Sequence, residues 1–179
     1  MSSWGIFLIG PMASGKSVVA RELAALLGAG LIDTDHAIVA EHGSIPAIFE
    51  AGGESLFRDY ESRALARAVE AARDRTTVVA TGGGIVLCEA NREILRGEYT
   101  VYLETDLATV RPRIENARHR PLLDGDPLDR WATIFAARQD FYVEAATLCV
   151  DARSGRPKRV AAEIAEAHRR ASGPRKPLA

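Results

Sequence analysis

The sequence predicts an α/β protein, a three-layer α/β/α fold around a central five-stranded parallel sheet, on three observations. Short apolar runs alternate with helical stretches along most of the chain, the pattern of a parallel sheet covered on both faces. Two of the helical stretches open with proline, at Pro127 and Pro157, where a missing N–H costs nothing. The first apolar run leads directly into a glycine-rich turn, and ligands of such sheets bind beyond the carboxyl ends of the strands.

The elements follow in order. Strands are expected at Gly5–Ile9, Gly30–Asp33, Thr77–Thr81, Tyr99–Glu104 and Thr147–Val150. Helices are expected at Lys16–Leu27, Asp35–His42, Gly53–Arg73, Glu89–Leu95, Leu107–Asn116, Pro127–Ala145 and Pro157–Ala171. In the third, Leu56, Phe57, Tyr60, Ala64, Leu65, Ala68 and Val69 recur at three- and four-residue steps, so one face is buried. A length of 179 residues fits one domain, placed over 1–171, with 172–179 as a disordered tail of prolines and small residues.

Gly10-Pro11-Met12-Ala13-Ser14-Gly15-Lys16-Ser17 is the G-x-x-x-x-G-K-[ST] phosphate-binding loop, set between a strand and a helix as its mechanism requires. Gly10 and Gly15 permit the backbone to turn its N–H groups toward phosphate oxygens. The helix that opens near Lys16 adds its positive end. Lys16 reaches the β and γ phosphates and Ser17 is a ligand for Mg²⁺. The chain is therefore expected to bind a nucleoside triphosphate as a P-loop NTPase.

Three further features mark the second substrate. Strand two ends in Asp33-Thr34-Asp35; carboxylates at i and i+2 of an extended segment point the same way, one toward Mg²⁺ and one toward an acceptor hydroxyl. The same residues suit a helix N-cap, and the two readings are compatible. Strand three runs into Gly82-Gly83-Gly84, which offers bare backbone N–H groups to a small polar substrate. Arg58 and Arg138 would suit a carboxylate through planar bidentate bonds, although the helix pattern alone makes Arg58 an ordinary solvated arginine. Between two helices, Ala117–Asp126 reads as a mobile lid in which Arg120, fixed by Pro121, supplies charge to the transferring phosphoryl group. Arg118 reads as solvated.

Taken together these motifs resemble the shikimate kinases, over about residues 4–170. The resemblance rests on the loop at 10–17, Asp33-Thr34-Asp35, Ser44-Ile45-Pro46-Ala47-Ile48-Phe49, Phe57-Arg58 with Glu61, Gly82–Gly84, Arg120-Pro121-Leu122-Leu123, and Arg138 followed by Tyr142. It implies MgATP-dependent phosphorylation of the shikimate 3-hydroxyl on the way to aromatic amino acids. It also implies roles: Arg58 and Arg138 clamp the carboxylate, and Asp35 binds hydroxyls and serves as base. Gly82, Gly83 and Gly84 line the ring, with Phe49 and Phe57 as its apolar wall. The phosphates lie on Gly10–Ser17 and Val18, Arg113 and Pro157 sandwich adenine, and Asp33 holds Mg²⁺ through water beside Ser17. Two departures stand out. Ala13 replaces a common glycine, with little loss expected, and Pro112 should kink or shorten the helix that carries Arg113.

Other classes fit less well. Gluconate or nucleoside monophosphate kinases account less well for the triple glycine and the two arginines, and a silent nucleotide-binding module would have no need of Lys16, Ser17, Asp35 and Arg120 all together. A net charge of −1 gives no support for a nucleic-acid partner or an acidic membrane surface. Cys88 and Cys149, which have no metal spacing, read as buried thiols of a cytoplasmic protein. His36, His42, His119 and His168 show no metal spacing either, Trp4 and Trp131 read as packing residues, and the chain is expected to act as a monomer.

Overall fold

A computed structural model describes residues 5–115, 126–153 and 156–171. Among them, strands β1 (Gly5–Ile9), β2 (Gly30–Asp33), β3 (Thr77–Ala80), β4 (Tyr99–Glu104) and β5 (Leu148–Asp151) form one parallel sheet in the order β2-β3-β1-β4-β5. Strand β1 lies at the centre, and Ile6, Phe7, Leu8 and Ile9 are each 0% exposed, which is why this strand is continuously apolar.

The helices are α1 (Lys16–Leu27), α2 (Thr34–His42), α3 (Ile45–Asp74), α4 (Glu89–Arg96), α5 (Leu107–Glu115), α6 (Pro127–Ala136), α7 (Gln139–Ala145) and α8 (Pro157–Ala171). Alternation along β1 divides the core between the two faces of the sheet. Ile6 and Leu8 pack with Val19 and Leu23 of α1 and Ile164 of α8. Phe7 and Ile9 pack with Leu65 and Ala68 of α3 and Tyr142 of α7. Burial of the large aliphatic and Phe side chains among these, each worth about 1.5–3 kcal/mol, holds the three layers together.

Local signals set the ends of the elements. Gly28 closes α1 in the left-handed conformation (φ 59°), with the Ala29 N–H donating to the Ala24 carbonyl at 2.9 Å. Asp126 caps α6 by accepting from the Leu128 and Asp129 N–H groups at 2.9 and 3.3 Å.

Several expectations need correction. The helix expected over Pro127–Ala145 is two helices, because the ladder is broken by a turn at Ala137-Arg138, where the Arg138 N–H donates to the Phe135 carbonyl at 3.0 Å. Helix α3 begins at Ile45, capped by Ser44, and the expected start at Gly53 is instead a kink inside it (φ 69°, ψ −168°). Helix α5 is described as far as Glu115, with Pro112 inside it. Cys88 is half-buried and Cys149 exposed, because Cys149 lies on an edge strand of the sheet. The expected tail, Trp4, Arg118, His119 and Arg120 lie outside the described residues, as does the expected lid apart from Asp126.

Candidate active site

The loop after β1 is shaped by positive φ angles at Gly10 (146°), Ala13 (66°) and Gly15 (96°). Two of these positions are glycine, for which the left-handed region is open. Ala13 is not, and among the described residues it alone combines a Cβ with a positive φ. The expectation of little loss at this position is therefore corrected: the conformation costs an L-residue roughly 1–2 kcal/mol. Lys16, 8% exposed, folds back over the loop and donates from Nζ to the Gly10 and Pro11 carbonyls, both at 2.8 Å. From outside the loop, Trp131 Nε1 donates to the Met12 carbonyl at 2.9 Å and Arg113 Nη1 to the Ala13 carbonyl at 2.7 Å.

The end of β2 serves two purposes. Asp33 Oδ1 accepts from the His36 N–H at 3.2 Å and caps α2, while its Oδ2 accepts from the Ser17 hydroxyl at 2.7 Å. The extended geometry stops there. Asp35 lies in the first turn of α2, so the alternation argument for parallel carboxylates is corrected; the helix turn, not the strand pleat, aims Asp35. Thr34 Oγ1 accepts from the Gly82 N–H at 3.2 Å, which ties the end of β2 to the triple glycine.

The triple glycine is explained by what surrounds it. A Cβ on Gly82 would press on Glu61 Oε1 and come within 2.8 Å of Asp35 Oδ1. On Gly83 it would lie 3.1 Å from the Met12 nitrogen, and on Gly84 it would strike the Arg58 guanidinium. The glycines thus make room for two acids, an arginine and the phosphate-binding loop at once. Tyr142 Oη donates to the Gly83 carbonyl at 2.5 Å, and Arg138 Nη1 reaches the same oxygen at 3.4 Å.

Arg58 is not a solvated helix arginine. It is paired with Glu61 and with Glu54, the latter at 2.6 Å. Glu61 is 1% exposed; burial pushes its carboxyl up to about 6, against the opposing pull of Arg58. Burial also raises the Asp35 carboxyl, opposed by Lys16 and reinforced by Asp33. Asp35 Oδ1 and Glu61 Oε1 are buried without a hydrogen-bond partner among the described residues. Phe49 and Phe57 stand beside them, ring centroids 5.3 Å apart.

A cavity of about 710 Å³ joins these parts. The loop from Pro11 to Val18 lines it, with Arg113 and Pro157. So do Asp35, Phe49, Phe57, Arg58, Gly82, Gly83, Gly84 and Arg138. Among the described residues, two expected site residues do not line it: Gly10, buried just after β1, and Asp33, which is joined to it through Ser17. Arg58 and Arg138 both arrive at the glycine segment, a convergence that their spacing in the chain left open. Sequence reasoning gave no role in the site to Glu61, Tyr142 or Trp131. For the first two a signal existed, the i+3 step from Arg58 and the i+4 step from Arg138 on helices. For Trp131 there was none.

A sequence model of the family described as shikimate kinase matches residues 12–169. The chain is 45% identical over 166 residues to a shikimate kinase of Halorhodospira halophila, covering 90% of this chain and 92% of that one. Among solved structures it is similar to shikimate kinase from Acinetobacter baumannii in complex with shikimate, with a TM-score of 0.85, 35% identity and 92% of each chain covered. A gluconokinase from Sinorhizobium meliloti, with a TM-score of 0.63 and 21% identity over 94% of this chain and 93% of that one, shares the fold alone.

Proposed function

The chain belongs to the shikimate kinase family, and we propose that it transfers the γ-phosphoryl group of ATP to the 3-hydroxyl of shikimate. The observation that carries this reading is one cavity with a phosphate-binding loop on one wall, and two arginines and a buried acid gathered around three glycines on the other. The hydroxyl oxygen attacks the γ-phosphorus, the bond to the bridging oxygen breaks, ADP leaves, and the hydroxyl proton passes to Asp35. Burial suits Asp35 to this task by raising its proton affinity. Arg58, held by Glu61, and Arg138 bind the acceptor carboxylate. Phe49 and Phe57 confine its ring. Arg113 and Pro157 hold the adenine.

Phosphoryl transfer asks mostly for alignment and charge neutralisation. Lys16 supplies positive charge at the γ-phosphate, joined by Arg120 on the strength of its sequence motif. The Ser17 hydroxyl and the Asp33 carboxylate, 2.7 Å apart, are hard oxygen donors of the kind magnesium takes. Ser17 directly and Asp33 through water would hold Mg²⁺ there, and the ion would supply charge neutralisation at the phosphates. Free Cys88 and Cys149 support a reducing compartment, the cytoplasm. Among the described residues no helix is long and apolar enough to cross a membrane.

The deciding measurement is ADP release with MgATP and shikimate, beside gluconate, AMP and a no-acceptor control. Turnover with shikimate alone is expected. Tight ATP binding without turnover on shikimate would overturn the acceptor reading and leave the nucleotide reading standing.

A further inference from the structure

A phosphate-binding loop directs peptide N–H groups at its ligand, and in a trans peptide the carbonyl of the same plane then faces the other way. A carbonyl so directed against protein needs a donor. Within the loop, Lys16 meets the Gly10 and Pro11 carbonyls. The next two carbonyls belong to the peptide planes on either side of Ala13, and both are met by residues far away in sequence. Trp131 holds that of Met12 at 2.9 Å, and Arg113 holds that of Ala13 at 2.7 Å. The Ser14 N–H turns back on the Pro11 carbonyl at 3.3 Å, closing a turn whose central peptide, Met12–Ala13, is held from outside by Trp131.

Ala13 is where the loop needs such help. Its φ of 66° is disfavoured for any residue with a Cβ, and strained backbone persists only where its surroundings over-determine it. Trp131 is suited to hold it: 3% exposed, stacked on Phe135 at 4.8 Å, and packed with Val110 and Ile114 against Met12 and Ala13 themselves. The indole cannot swing away without opening that cluster. We propose that Trp131 is a positioning residue for the ATP phosphates: its N–H, anchored on the Met12 carbonyl, keeps the Ala13 turn in the left-handed conformation that the phosphate-binding shape requires. Helix α6 brings Trp131 and helix α5 brings Arg113, so the two helices on either side of residues 116–125 each hold one carbonyl of the loop.

This role for Trp131 rests on the loop being the ATP site, and the test separates the two. In the full chain, Trp131 is replaced by β-(3-benzothienyl)alanine, which keeps the ring shape and exchanges the N–H for sulfur, and in parallel by phenylalanine (Trp131→Phe). Each replacement is made both with Ala13 and with Ala13→Gly. ATP affinity is read by titration calorimetry and both KM values by kinetics. Loss of the N–H should weaken ATP binding by about 5–10-fold, the worth of one buried hydrogen bond, and leave the shikimate KM within about twofold. In the Ala13→Gly background the same exchange should cost less than about twofold, because glycine adopts positive φ without strain. Unchanged ATP affinity in the benzothienyl protein would overturn the inference, as would an equal loss in both backgrounds, the mark of packing alone. If the unaltered chain fails to bind ATP, the nucleotide reading falls and this inference with it.

Discussion

Arg58 and Glu61 share one ion pair, yet they carry opposite energetic signs. A buried arginine needs its partner, and a buried glutamate would rather be neutral. With its carboxyl raised from 4.5 to about 6, Glu61 favours folding in its protonated form. Its contribution to stability is complete below pH 4.5 and is lost as pH rises through 6. The difference in unfolding free energy between wild type and Glu61→Gln should therefore shift by on the order of 2 kcal/mol between about pH 4.5 and 6.5, with the variant gaining as pH rises. Chemical denaturation at a series of pH values measures this, and a flat difference would place Glu61 at an ordinary carboxyl value. That cost at higher pH accompanies the fixing of Arg58, which on the proposed reading binds the acceptor carboxylate. Arg58→Ala should raise the acceptor KM at least ~10-fold, the loss of a charge-assisted bond, and leave the KM for ATP unchanged. Arg120→Ala should act on the other parameter, lowering kcat at least ~100-fold in the manner of an arginine finger in cis. Steady-state kinetics on both variants separates the roles, and a turnover number within about twofold of wild type would remove Arg120 from its own.

Helix α3 shows what a sequence reading captures and what it loses. The apolar steps from Leu56 to Val69 marked its buried face, but the start expected at Gly53 is a kink within a helical run that begins at Ile45. The backbone at Gly53 (φ 69°, ψ −168°) lies in a region open essentially to glycine. Its Cβ position is otherwise open space. Gly53→Ala should thus destabilise the protein by about 1–3 kcal/mol through backbone strain alone, read as a lower denaturation midpoint; an unchanged midpoint would show the kink to be relaxed. Strand ends, by contrast, were legible to within a residue, because apolar runs of a central parallel sheet have sharp borders. The turn at Arg138 was not legible. Neither glycine nor proline marks it, and what bends the chain is tertiary, the reach of Arg138 and Tyr142 to Gly83, 55 and 59 residues away. The phosphate-binding loop was readable since its chemistry is contiguous. Trp131, 119 residues from Met12, was not.

At the scale of the molecule, the neighbourhood of donor and acceptor follows from strand pairing. Strands β1 and β3 are hydrogen-bonded side by side, Leu8 opposite Ala80, and both end at the same edge of the sheet. The loop that follows one and the glycines that follow the other are therefore forced together, down to 3.1 Å between the Gly83 Cβ position and the Met12 nitrogen. A ligand that bridges these loops joins the centre of the sheet to α2 and α3, so binding should stabilise the whole fold. At MgATP about a hundredfold above its dissociation constant the gain is about 2.7 kcal/mol, which for a chain of this size raises Tm by roughly 5–10 °C. A thermal scan with and without MgATP tests this, and an unmoved transition would count against ATP as a ligand of the folded state.

The triple glycine has a last consequence, for inhibition. Where a compound rests on side chains, a single codon change can alter its footing. Between Asp35, Glu61 and Arg58 the surface is main chain; a side chain at Gly82 or Gly84 displaces the acids or the arginine, and one at Gly83 crowds the loop. A molecule that takes its grip from Gly82–Gly84 would leave the enzyme few routes to resistance, because the mutations that dislodge it would also disable the catalyst.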